Sequence, residues 1–174
     1  MKDALEPKIR FGMGAIRGVG ESALEAVLEV RNAGGPFADL FDFAQRVDAR
    51  RVNKGVFESL VQCGAFDDSL KSQGITRARA YAAIDQALER SRSASKDRER
   101  GQSSLFGLFS KAEPEKPRLE GYPMCEPWDL RETLVREKQS LGFYVSGNPL
   151  DRYGVELSRF DLAPANSKRE SSTP

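Results

Sequence analysis

Ile16-Arg17-Gly18-Val19-Gly20 sets two glycines around one small apolar residue, immediately before a run with helical spacing. Glycine at those positions permits a tight turn whose N–H groups face outward, near enough to meet a phosphate with no side chain between. The positive end of a helix starting near Glu21 adds to the attraction for an anion, and Val19 anchors the turn in the core. Contacts of this kind touch only the phosphate backbone, so they would place a protein on a duplex without reading its bases. A ligand-free turn leading into a helix has the same spelling, and the pattern alone leaves both readings open.

Gln102-Ser103-Ser104-Leu105-Phe106, flanked by Gly101 and Gly107, is the second stretch with chemistry in it. An amide that both donates and accepts, followed by two large apolar side chains in polar surroundings, fits a short peptide that docks in a partner's groove. Burying Leu105 and Phe106 contributes roughly 3–6 kcal/mol before the cost of ordering the chain. Such a peptide binds weakly by itself, and tethering supplies the remaining affinity. An apolar tether folding back on its own domain is the alternative.

Composition removes several classes of chemistry. The chain has no histidine, which excludes Ser-His-Asp and Cys-His catalysis and every histidine-containing metal site. Cys63 and Cys125 lack a CxxC partner and read as ordinary thiols of a reducing compartment, so neither a metal nor a cofactor is expected. With 27 basic and 26 acidic residues the formal charge is +1, so DNA contact would have to come from local patches and backbone donors. No apolar run approaches the ~20 residues that span a bilayer, and the N-terminus lacks a signal peptide's apolar stretch. A cytoplasmic location with no membrane partner is expected, and the polar tail NSKRESSTP reads as the end of a fragment.

The elements that must position these stretches follow from periodicity. A helix is expected from Glu21, with Leu24, Val27, Leu28 and Arg31 on one stripe and with Asn32, Gly34 and Gly35 as its stop. Pro36 is expected to open a second helix bearing Phe37, Leu40, Phe41 and Ala44. Asn53 caps a third, with Val56, Leu60 and Val61 inward and Gly64 at its end. A turn over 65–74 leads to Thr76, cap of a fourth helix with Tyr81, Ile84 and Leu88 on one face. Serine, charge, glycine and proline from Ser91 to Glu126 read as a mobile linker. After Pro127 a last helix carries Leu130, Leu134 and Leu141, and residues 143–154 form a turn.

The glycine turn and its helix resemble the helix-hairpin-helix element of proteins that bind DNA without sequence preference. That pattern usually has alanine four residues after the second glycine, where this chain has Leu24, so slightly wider helix spacing is expected. Residues 54–89 offer a degenerate second copy with Gly64 and Ala65 at its hairpin. More specifically, the run from Ile9 to Asp67 closely resembles the tandem helix-hairpin-helix region of the bacterial DNA polymerase III alpha family of C-family polymerases. The likeness continues through GQSSLFG and WDLRETLVREKQSLGFYVSGNPLDRY, in the same order, over residues 8–155.

The resemblance implies an all-α fold: a tandem helix-hairpin-helix domain over 8–91, a flexible linker over 92–126, a helix and turn over 127–155 leading toward an OB domain, and a polar tail over 156–174. It also implies that Arg17, Gly18, Val19, Gly20, Arg51, Lys54, Gly64, Arg77 and Arg79 contact double-stranded DNA, with Arg50 a further candidate. Gln102, Ser103, Ser104, Leu105 and Phe106 would bind the beta sliding clamp, and the longer parent chain would meet other subunits of the polymerase III holoenzyme. The parent would be a DNA-directed DNA polymerase whose catalytic carboxylates lie upstream, so no catalytic residue is expected here. Two rivals stand beside this reading. A helix-hairpin-helix glycosylase would need a catalytic aspartate in a base-sized pocket, and Asp48, Asp67 and Asp68 lie in short turns. A purely structural helical spacer would bind nothing.

Overall fold

A computed structural model of the chain describes residues 11–99, 121–154 and 156, and the regular elements among the described residues are all helical. A 3-10 turn at Met13–Ala15 precedes α1 (Glu21–Gly34), α2 (Leu40–Arg46), α3 (Lys54–Gln62), α4 (Asp67–Lys71), α5 (Arg77–Ala82), α6 (Ile84–Glu99) and α7 (Leu130–Leu141), and a second 3-10 turn covers Asp151–Tyr153. Helix α3 is the hub, touching α5, α6 and α7, while α2 lies along α6.

Helix ends follow local chemistry. Side chains of Asp39, Asn53, Thr76 and Asp129 accept from the backbone N–H three residues on, capping α2, α3, α5 and α7. Helix α2 therefore starts at Leu40 rather than at Pro36, because the Asp39 carboxylate holds the Asp42 N–H at 2.8 Å. Arg46, in the last turn of α2, donates to the carbonyls of Val30, Gly35 and Pro36 at 2.9–3.1 Å. That one guanidinium closes the end of α1 and the connection to α2.

The face α1 buries is Ala23, Ala26 and Val27; Leu24 and Leu28 are half-buried and Arg31 is exposed. Alanines let this helix approach closely, which rotates its inward face away from the bulkier leucine stripe expected from spacing. The 65–74 turn contains the short helix α4. The expected fourth helix is two, α5 and α6, because Ala83 N–H is shared between the carbonyls of Arg79 and Ala80 and tightens the ladder there. No glycine or proline marks the break.

The linker expected to begin at residue 92 is helical as far as Glu99. Ser91 ties this stretch to α2, its hydroxyl donating to Ala44 O at 2.6 Å. The far side of the expected linker is docked as well. Tyr122 is 3% exposed, packs edge-on against Phe41 at 5.1 Å, and its hydroxyl accepts from Leu40 N–H. Arg79 then holds the carbonyls of Tyr122 and Pro123 at 3.0 and 3.2 Å. The approach to α7 is thus fixed before the helix begins at Leu130, three residues after Pro127.

Inside, Phe43 is the centre of an aromatic cluster, edge-on to Phe37 and Phe57 at 4.9 Å and to Phe66 at 5.3 Å. Cys63, half-buried at the C-cap of α3, has its thiol pushed above the ordinary range by burial, and both cysteines are free. Phe43→Ala removes the ring common to three edge contacts and leaves a cavity. Urea unfolding should show a loss of about 3–5 kcal/mol.

Candidate nucleic-acid interface

Ile16 is buried and Val19 half-buried against the core, so the two apolar residues of the first hairpin point inward while Gly18 and Gly20 face solvent. Gly18 has φ +83, and a Cβ there would sit 3.0 Å from Ser59 Oγ on α3. Two internal hydrogen bonds set the shape of the turn: Val19 N–H to Ile16 O at 3.2 Å, and Arg17 N–H to Ser140 O at 2.8 Å. The amides of Gly18, Gly20 and Glu21 have no intramolecular acceptor among the described residues. They stand at the positive end of α1, which is 14 residues long. Arg17 is exposed, and its guanidinium lies against Gly142 at the end of α7. Leu24 Cδ2 lies 3.5 Å from where a Cβ on Gly14 would stand, an ordinary packing distance, so the bulkier residue at this place sits against the Met13–Ala15 turn without displacing it.

The second hairpin, with one glycine where the first has two, has a different use. Its Cys63, Gly64 and Ala65 amides donate to Ser59 O, Val61 O and Leu60 O at 3.0–3.1 Å, so none of the three is spare. Gly64 has φ +79, and a Cβ built there would lie 2.3 Å from Arg77 Nη2. Arg77 covers the glycine because it is clamped by two carboxylates. Asp67 takes Nε at 2.8 Å and Nη2 at 2.6 Å; Glu137 of α7 takes Nη1 at 2.9 Å.

Glu137 is fully buried and was not legible as a site residue, since LVREKQS reads as a solvated charged run. It accepts from the backbone N–H groups of Val145 and Ser146 at 2.7 and 2.9 Å, from the Ser146 hydroxyl, and from Arg77. Burial pushes its carboxyl up, but the Ser146 hydroxyl and amide, Arg77 and Val145 together outweigh it and hold the group below the usual carboxylate range. Burial likewise opposes the charge on Arg77, and Asp67 and Glu137 overcome it, raising the guanidinium further. Leu130, expected inward, is 53% exposed; the inward face of α7 is Leu134, Glu137 and Ser140.

Of the residues expected at DNA, the structure brings Arg17, Gly18, Val19 and Gly20 together. The others have internal partners. Arg51 pairs with Glu25 and Glu29 at 2.9 and 3.0 Å and with Ser22 Oγ. Lys54 pairs with Asp85 at 2.7 Å, a hydrogen bond that raises its ammonium pKa. Arg79 is spent on the carbonyls of the segment before α7, and Arg77 and Gly64 form the internal junction just described. Arg50 is exposed, its amide donating to Asp48. Ser59, Ser140 and Gly142, which shape the first hairpin from outside it, carried no signal in the sequence. Residues 102–106 lie outside the described residues.

Residues 2–80 match the helix-hairpin-helix motif family. The chain is 39% identical over 165 residues to DNA polymerase III subunit alpha of Pseudomonas aeruginosa, covering 88% of this chain and 14% of that protein. It is 38% identical over 172 residues to the subunit of the same name from Haemophilus influenzae, covering 95% and 14%, and 40% identical over 158 residues to that of Vibrio cholerae, covering 91% and 13%. The chain is homologous to a segment of DNA polymerase III subunit alpha. It spans about one seventh of the length of these relatives. The segment is all-helical among its described residues and carries the helix-hairpin-helix motif. Among those residues no helix is long and apolar enough to cross a membrane, and no group of three or more His, Cys, Asp or Glu side chains is placed to hold a metal ion. Of the aspartates a glycosylase would need, Asp67 is occupied by Arg77, and Asp48 accepts from the Arg50 amide.

Gly64→Ala forces a side chain into a positive-φ site and into the Arg77 guanidinium, and thermal unfolding should show a loss of about 1–3 kcal/mol. Acid should loosen the α7 junction in a defined window. Because the folded pKa of Glu137 is depressed, its contribution is complete above the unfolded value of about 4.3 and is lost as pH falls through the folded value. Urea midpoints followed by Trp128, the single tryptophan, should fall across that acid range in the natural protein, and Glu137→Gln should flatten the fall.

Proposed function

We propose that this segment grips the backbone of duplex DNA through its first hairpin, without reading base sequence, as part of a cytoplasmic replicative polymerase. One observation carries the reading: the Gly18, Gly20 and Glu21 amides, without an intramolecular acceptor among the described residues, converge at the head of α1 beside exposed Arg17. Amides so placed suit a phosphate oxygen, and the absence of a side chain at Gly20, where a Cβ would meet only open space, lets the DNA backbone approach. The relatives are named as polymerase subunits, which agrees with a duplex as ligand. The parent chain would be a DNA-directed DNA polymerase whose catalytic groups lie outside this segment.

The same reading gives Gln102, Ser103, Ser104, Leu105 and Phe106 to the beta sliding clamp. Support comes from the residue pattern and from its position in the chain, shortly after α6 ends at Glu99. A clamp encircling the duplex held by the first hairpin would meet a peptide on the same particle, where tethering raises the effective concentration to around millimolar. Grip on the duplex and attachment to the ring together give processive synthesis.

Gly20 offers a clean test. It has φ −74, and a Cβ there meets nothing within 4 Å, so Gly20→Glu leaves the fold intact while adding a negative charge at the phosphate position. Fluorescence anisotropy with a random-sequence duplex should show binding that weakens as salt rises. In Gly20→Glu the affinity should fall about tenfold or more, the scale of one charge-assisted hydrogen bond. With purified clamp, Leu105→Ala plus Phe106→Ala should abolish binding. A segment that ignores both ligands at high micromolar concentration is a structural spacer, and formation of abasic sites in the duplex would favour a glycosylase.

A further inference from the structure

The first hairpin is shaped partly from a distant part of the chain. Arg17 N–H, in the middle of the turn, donates to Ser140 O in the last turn of α7, and Gly142 at the end of that helix lies under the Arg17 guanidinium. Whatever fixes the end of α7 therefore fixes one of the two hydrogen bonds that define the turn.

Glu137 sits one helical turn before Ser140 on the same buried face of α7. Its carboxylate reaches in two directions. Toward the body it holds Arg77, which is locked to Asp67 beside the second hairpin. Toward the C-terminal side it gathers the Val145 and Ser146 amides and the Ser146 hydroxyl, folding the chain back after Gly142. The end of α7 is thus held from both sides through a single side chain. The Ser140 hydroxyl bonds only within its own helix, to the carbonyls of Arg136 and Glu137, so it adds no tie of this kind.

We infer that Glu137 is a positioning residue for the first hairpin: by fixing the last turn of α7 it places the Ser140 carbonyl that orients Arg17 and sets the outward amides. This rests on the DNA-backbone reading for its functional meaning, but its structural half stands alone. It also gives the degenerate second hairpin a role, as the seat of the charge network that braces the first.

The test uses the 174-residue chain. Glu137→Gln keeps the shape but places an amide NH2 against one of the donors that the carboxylate accepts. Ser146→Ala removes one donor and is the milder variant, which decides the matter should Glu137→Gln not fold. Leu88→Ala, on α6, lowers stability away from the junction and serves as the control. Hydrogen exchange read by NMR should show the Arg17 and Val19 amides losing protection in Glu137→Gln, and partly in Ser146→Ala, while Phe57 and Leu60 stay protected. Leu88→Ala should not single out the hairpin. Under conditions where all variants are folded, duplex affinity should fall about fivefold or more in Glu137→Gln and stay unchanged in Leu88→Ala. Unchanged exchange at Arg17 overturns the inference. So does loosened exchange with unchanged affinity in a protein that binds DNA. If the natural chain binds no duplex, the DNA reading fails, and exchange at Arg17 alone decides whether Glu137 positions the turn.

Discussion

Withdrawing an arginine and a carboxylate from water costs several kcal/mol per ion, and their attraction offsets this only when every remaining donor and acceptor is satisfied. Around Arg77 and Glu137 that condition is met. Asp67 takes one edge of the guanidinium, Glu137 takes another, and the carboxylate completes its shell with two amides and a hydroxyl. Three pieces distant in sequence are therefore interdependent: the Gly64 turn, the start of α5 and the end of α7. Removing one partner would leave a buried charge without compensation. This is why the absence of a side chain at Gly64 matters more for the interior than for any ligand.

The two glycine hairpins show how one local backbone shape serves two purposes. Both have a positive-φ glycine and lead into a helix. In the first, the Gly18, Gly20 and Glu21 amides are spare among the described residues, and the helix that follows is long enough to carry a useful dipole. In the second, the amides return to α3, and the helix that follows is the five-residue α4. Among the described residues the two hairpins therefore present unlike sets of amides. The basic residues reinforce the asymmetry, since Arg51, Lys54, Arg77 and Arg79 are each engaged within the protein.

What was legible in the sequence was what is local. Asn53 and Thr76 announced their caps, Gly64 its stop, and the helical spacing of apolar residues placed α3 and most of α7. Arg77 could not be read, because an arginine just after a cap looks like a surface charge until Asp67 and Glu137 are seen beside it. Glu137 was hidden in a charged run for the same reason. The break at Ala83 has no breaker residue; it is a tertiary effect on a favourable helical sequence. Ser91 and Tyr122 looked like linker because the first is polar and the second isolated, whereas each finds its partner on α2, far away in the chain. The outward face of the first hairpin was foreseeable from glycine alone; its dependence on Ser140 was not.

Helix α2 receives both sides of the stretch from residue 100 to 120: Ser91 through the Ala44 carbonyl, and Tyr122 through Phe41 and the Leu40 amide. The two flanks are moored to one short helix by contacts independent of the covalent path between them. A protease that severed the backbone once in that interval would leave a nicked particle rather than two fragments, with the downstream piece retained by its own docking.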